Sequence, residues 1–146
     1  MYRLIYKSRT TSEIDWDTIS TILNDCEKSN QEHEIGGVLL ATETHFLQVL
    51  EGKYEDINET FFRIAKDPRH TDLQLISFDV IDGRLFKSWG MRGLGVMDFN
   101  KSLAAMLKTK YGEDNGHLRF PAEQWLTLAM INDIKMVHGL PEWKKG

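Results

Sequence analysis

The chain has one cysteine in 146 residues, which excludes an intrachain disulfide and suits a reducing compartment. It has no apolar run long enough to cross a membrane as a helix. Its first residues, MYRLIYKSRT, turn polar too soon for a signal peptide. A cytoplasmic protein without membrane attachment is the expectation. Positive charge is also short: 18 Lys plus Arg stand against 22 Asp plus Glu, a formal net charge of -4. That balance speaks against binding to a nucleic-acid backbone as the main activity. His33, His45, His70, His117 and His138 lack metal-ligand spacing, so no zinc site is expected. GMRGLG (90–95) has glycines but not the order of a dinucleotide loop. Cys26 falls on an apolar helical stripe, where it reads as a small core residue. There is no internal repeat and no low-complexity linker.

What is present is the patterning of one domain. Tyr2 to Ser8 alternates, with Tyr2, Leu4, Tyr6 and Ser8 on one face, and predicts a strand. Trp16, Ile19, Ile22, Leu23 and Cys26 recur at helical spacing and predict a helix to about Lys28, capped by Ser12 or Asp15. IGGVLLA (35–41) and HFLQVLEG (45–52) are expected to pair antiparallel across a short connection. Tyr54, Ile57, Phe61 and Ile64 mark a second helix ending near Asp67, ahead of Pro68. Residues 73–81 and 85–92 read as two further strands around an Asp82-Gly83 turn. Two more helices follow, the second opening at Pro121. The expected fold is α+β, a ferredoxin-like βαββαββ arrangement with a mixed five-stranded sheet, two helices on one face and two C-terminal helices.

Within this pattern Gln48 is the residue that packing explains least. It shares a strand face with Phe46 and Leu50, and a buried amide without partners costs about 1–3 kcal/mol. If the helices cover that face, Tyr6 points into the same layer. Asn30 lies just past the first helix, Arg63 and Asp67 on the flank and end of the second, and Trp89 and Met91 on one face of the last strand. Each also has an ordinary reading: Tyr6, Trp89 and Met91 as core, Asn30 as a helix stop, Arg63 and Asp67 as an i,i+4 ion pair. That pair runs in the weaker order, and an aspartate at a helix C-terminus opposes the dipole.

RLIYKS, the Asn30 position of SNQEHEIGGVLL, FLQVLEG, DPRH (67–70) and WGM (89–91) together resemble the BLUF domain, the blue-light sensor that uses a flavin. The resemblance spans about residues 1–95 and extends to the C-terminal helices of short stand-alone members. It implies a photosensor domain over 1–95 and a helical extension over 96–146 in the same compact domain. It implies a non-covalent flavin, FAD, held by Tyr6, Ile22, Leu23, Asn30, Phe46, Gln48, Arg63, Ile64, Asp67, Arg69 and His70. Tyr6 and Gln48 correspond to the photoactive tyrosine and glutamine, and Trp89 and Met91 to the pair that relays the signal. One departure is Ser29, where the family often has Asn or His, and it leaves FMN and riboflavin as alternatives.

The implied activity is a light-driven hydrogen-bond rearrangement with no substrate turned over. No catalytic domain follows in the sequence given, so the output is expected through a separate partner protein or through self-association, with a homo-oligomer anticipated from the family. Two other classes fit the strand order. An acylphosphatase-like hydrolase would need a phosphate-cradling loop after the first strand, where SRTTSE has only Arg9 and no glycine. A light-insensitive ferredoxin-like interaction module remains the third reading.

Overall fold

The structure is a computed structural model that describes residues 1–11, 17–18, 20–22, 24–25, 34–86, 91–95 and 101–138. Its strands are β1 (Tyr2–Thr10), β2 (Gly36–Ala41), β3 (His45–Gly52), β4 (His70–Val80) and β5 (Met91–Gly95). The described residues between 17 and 25 are helical and form α1; α2 is Tyr54–Ala65, α3 is Lys101–Tyr111 and α4 is Gln124–His138. The ends of α1 expected at Asp15 and Lys28 lie outside the described residues. The sheet order is β4-β1-β3-β2-β5. β1 pairs antiparallel with β3 and β4, β2 pairs antiparallel with β3, and β5 runs parallel to β2. This is the expected ferredoxin-like α+β arrangement.

The sheet is covered on both faces. Even-numbered residues of β1 and β3, including Leu4, Tyr6, Phe46 and Leu50, form one apolar cluster with Leu39 and Ile57, against which Ile22 of α1 and Phe61 and Ile64 of α2 pack. The odd positions Ile5, Leu47 and Val49 form a second cluster with Val38, Leu40, Phe86, Leu103, Leu107, Met130, Ile131 and Ile134. The two C-terminal helices therefore share a core with the sheet. Double coverage explains the composition of β3, in which every residue after His45 is buried and neither face needs to be polar. Between α3 and α4, Asp133 Oδ2 accepts from Tyr111 Oη at 2.5 Å and from Lys110 Nζ at 2.8 Å. Burial and the Asp133 acceptor push the Tyr111 phenol pKa upward.

Several boundaries differ from the sequence expectations. The last strand is 91–95 rather than 85–92, and it does not pair with β4 across the Asp82-Gly83 bend; the two lie at opposite edges of the sheet. The reason is on the second face, where Phe86 is buried and the amides of Leu85 and Phe86 bond to the Glu51 carboxylate instead of a strand ladder. α2 stops at Ala65, short of Asp67. α4 starts at Gln124, with Thr127 N donating to Glu123 O at 3.0 Å, so Pro121 precedes the helix and is itself buried. A two-strand hairpin, β6 (Glu113–Asp114) with β7 (His117–Leu118), lies between α3 and α4. Its turn, Asn115-Gly116, has φ of 52° and 85°, the left-handed pair a two-residue type I′ hairpin requires.

Candidate functional site: a buried tyrosine and glutamine between sheet and helices

Tyr6 and Gln48 are direct cross-strand partners in the β1–β3 ladder. Both are buried, at 3% and 2% exposure, and the Tyr6 hydroxyl donates to Gln48 Oε1. Alternation alone puts the two side chains on the helix-covered face, and the register puts them opposite each other. The amide thus turns its acceptor end to the phenol and its donor end elsewhere. Beside Tyr6 the β1–β4 register slips twice, between Ile5 and Tyr6 and between Lys7 and Arg9. Such bulges re-aim side chains locally, and here the second lies where Ser8 turns to His70.

A pocket with about 380 Å³ of empty space, including its solvent-open part, is lined by Tyr6, Ile22, Leu39, Phe46, Gln48, Ile64, Asp67, Arg69 and His70. Tyr6 and Gln48 form its buried end. His70 is fixed from both ring nitrogens: Nε2 lies 2.5 Å from Ile64 O and Nδ1 2.8 Å from Ser8 Oγ. A carbonyl only accepts, so Nε2 carries a proton, and in the neutral imidazole Nδ1 accepts from the serine hydroxyl. This tautomer ties the start of β4 to the end of α2 and to β1, and sets the ring 6.2 Å from Tyr6 and from Phe46.

Asp67 acquires the reason that its position at a helix end lacked. Its Oδ1 accepts from Arg69 N at 2.9 Å across Pro68, an Asx-type turn. The Arg69 guanidinium binds both carboxylate oxygens, with Nε at 3.0 Å from each and Nη2 at 2.5 Å from Oδ2. Arg69 Nη1 also reaches Asp25 Oδ2 of α1 at 3.2 Å, so one guanidinium links α1 to the turn after α2. The bonds from Arg69 hold the Asp67 carboxyl below its ordinary value of 3.8, against an opposing effect of burial.

Because the folded pKa is lowered, the stability this pair adds is fully present above the ordinary carboxylate value. It is lost as pH falls from there through the folded value. We expect Asp67→Asn to cost about 1 kcal/mol at pH 7, as for a partly exposed bidentate pair. Urea unfolding should show the difference from wild type shrinking as pH is lowered below about 4. A difference that stays constant over that range would contradict the ion pair.

The residues singled out from sequence are distributed as follows. Tyr6, Ile22, Phe46, Gln48, Ile64, Asp67, Arg69 and His70 line the pocket. Leu23, Asn30 and Trp89 lie outside the described residues, and of Met91 only the backbone is described, as the first residue of β5, opposite Gly37. Arg63 does not join this lining or pair with Asp67; it is exposed on α2 and donates to Thr60 Oγ1 at 3.3 Å. Leu39, opposite Gln48 on β2, lines the pocket and was not singled out, because an apolar residue in an apolar strand carries no separate signal.

A family model described as sensors of blue light using FAD, BLUF, matches residues 1–92. The chain belongs to the BLUF family. Among BLUF relatives, the blue light- and temperature-regulated antirepressor BluF of Escherichia coli (strain K12) is 30% identical over 88 residues, which are 60% of this chain and 22% of that protein. The photoactivated adenylate cyclase subunit beta of Euglena gracilis is 31% identical over 85 residues, 58% of this chain and 10% of the relative. The chain thus matches about a fifth or less of the length of these two proteins. Two solved structures agree over far more of their length. The BLUF protein BlrB in its dark state has a TM-score of 0.74 and 25% identity, covering 93% of this chain and 96% of BlrB. BlsA in its ground state has a TM-score of 0.74 and 26% identity, covering 90% and 85%.

The pocket fits the flavin of this family on its own chemistry. Ile22, Leu39, Phe46 and Ile64 offer apolar surface to a flat ring, and the Gln48 amide, whose Oε1 accepts from Tyr6, offers its NH₂ donors to a ring edge bearing carbonyl groups. The family to which the chain belongs is one of blue-light sensors that use a flavin. Among the described residues no helix is long and apolar enough to cross a membrane.

Proposed function

We propose that the chain binds FAD non-covalently in this pocket and reports blue light through the Tyr6–Gln48 pair. The single observation that carries this reading is the buried hydrogen bond from Tyr6 to Gln48 Oε1 at the closed end of the pocket. Gln48 and Tyr6 would hold the ring edge through hydrogen bonds, with Phe46, Ile22, Leu39 and Ile64 as apolar walls. Asp67, Arg69 and His70 shape the outer part. Asn30, Leu23 and Arg63 belong to the same reading by resemblance.

Flavin, when bound, supplies a ring that absorbs blue light and accepts an electron once excited. Tyr6 holds the proton that matters, on a phenol already hydrogen-bonded to Oε1. Tyr6 would lend that proton to Gln48 Oε1 as its electron passes to the excited ring and take both back afterwards; while Oε1 carries the proton it no longer accepts, and the Gln48 amide is released from its orientation. Rotation, or tautomerisation, then exchanges acceptor for donor toward the phenolic oxygen and reverses what the amide offers on its other side. The closed apolar walls keep water from competing for either end. The outcome is a reversible change of hydrogen bonding with no substrate turned over.

Residues 1–95 act in this reading as the photosensor and 96–146 as its helical extension, with Trp89 and Met91 carrying the change into β5. The signal passes to a separate protein in the cytoplasm, in keeping with a relative named as an antirepressor. The sensor itself works as a homo-oligomer. An absorption spectrum before and after blue light tests the proposal. Purified protein should be yellow, and light should shift the flavin band reversibly to the red. A protein that cannot be loaded with FAD, FMN or riboflavin would overturn it, and one that binds flavin without a shift would be a light-insensitive module.

A further inference from the structure

Glu51 stands three residues beyond Gln48 on β3, and the alternation of the strand turns its side chain to the opposite face, toward the core shared with α3 and α4. It is fully buried. Its carboxylate accepts from Arg3 Nε at 2.9 Å and Leu85 N at 3.1 Å through Oε2, and from Phe86 N at 3.0 Å through Oε1. Arg3 is its cross-strand partner on β1. A buried ion pair is a weak source of stability, because desolvating both charges offsets most of the attraction and apolar residues would fill the same volume. The two backbone bonds give the charge another use. They fasten β3 to the segment that leaves β4 in the direction of β5. The Phe86 side chain in that segment belongs to the same buried cluster as Leu103, Leu107, Met130 and Ile134.

We propose that Glu51 is a positioning residue that couples the pocket face of β3 to the C-terminal helices. A rearrangement at Gln48 shifts the strand, the carboxylate carries residues 85 and 86 with it, and Phe86 changes its packing against α3 and α4. One strand then holds the sensing amide on one face and the output anchor on the other. This inference rests on the light-sensing reading above.

The test compares the wild type with Glu51→Gln, both as full chains loaded with FAD, by absorption and by hydrogen exchange in dark and light. The amide introduced by this substitution retains one acceptor oxygen but sets an NH₂ group where a carboxylate oxygen received bonds, so it loosens the fastening at little change in volume. We expect the red shift to keep its amplitude while the light-minus-dark exchange difference across 101–138 falls about fivefold or more, the low end of ordinary coupling between sites. Glu51→Asp, which keeps the charge, should restore part of the difference; a purely structural role would track stability instead. An undiminished difference in Glu51→Gln overturns the proposal. So does a wild type that red-shifts without any exchange change in the helices. Absence of a red shift in the wild type would instead reject the light-sensing reading itself. If neither variant folds, the wild type decides alone: the Leu85 and Phe86 amides must change protection with light together with α3 and α4, and constant protection there while the helices change overturns it.

Discussion

Tyr6→Phe should bind flavin as the wild type does and show no red shift under blue light. The substitution removes one oxygen and leaves the ring, which packs beside Phe61 and His70, so the walls of the pocket stay in place. What it removes is the donor to Gln48 Oε1. Depriving a buried acceptor of its partner costs about 1–3 kcal/mol, and chemical denaturation should show a loss of that order. The colour of the purified variant separates a failed photoreaction from a failed fold. A normal photocycle in a yellow Tyr6→Phe protein would remove Tyr6 from the mechanism.

Gln48→Leu should have an equally large effect on the photoreaction by the opposite deletion. Leucine approximates the volume of glutamine and continues the apolar surface of Phe46 and Leu50, so flavin should still bind. No side chain with two opposed hydrogen-bonding ends then remains at that position, and the red shift should vanish. The Tyr6 hydroxyl also loses its acceptor, at about 1–3 kcal/mol. The combination of both substitutions discriminates further. When both partners of a buried bond are replaced by apolar groups of similar shape the result can be nearly neutral, so the double variant should be less destabilised than the sum of the singles by about 0.5–3 kcal/mol. Strict additivity in unfolding experiments would show that the bond contributes nothing to the folded state. A light-driven shift surviving in Gln48→Leu would exclude the amide as the relay.

Much of this site was legible in the residues because it depends on short-range patterns. Strict alternation in YRLIYKS and HFLQVLEG put Tyr6 and Gln48 on inward faces, and helical spacing put Ile22 and Ile64 on the stripes that cover them. What stayed illegible depends on contacts distant in sequence. β5 forms a parallel pair with β2, from Gly37 beside Met91 to Ala41 beside Gly95, and no local signal distinguishes that from a hairpin with β4. The ordinary i,i+4 reading of Arg63 with Asp67 assumes that the helix continues, whereas α2 ends at Ala65 and the turn at Pro68 brings Arg69 instead. Glu51, near the end of HFLQVLEG, carries no local signal, since its need for burial arises only when Arg3 and residues 85–86 converge on it. The β6–β7 hairpin is different: its Asn115-Gly116 signal was in plain sight, but strands of two residues leave no alternation to accompany it.

The doubly covered sheet also decides where this protein can be cut. A fragment ending at Gly95 would retain the whole described lining of the pocket, yet it would bare Ile5, Val38, Leu40, Leu47, Val49 and Phe86 to water. Contiguous apolar area of that kind on a soluble domain recruits partners or aggregates. Anyone grafting this sensor onto another protein must therefore carry α3 and α4 along or supply a replacement apolar layer, and in the second case the graft itself becomes the receiver of the light signal.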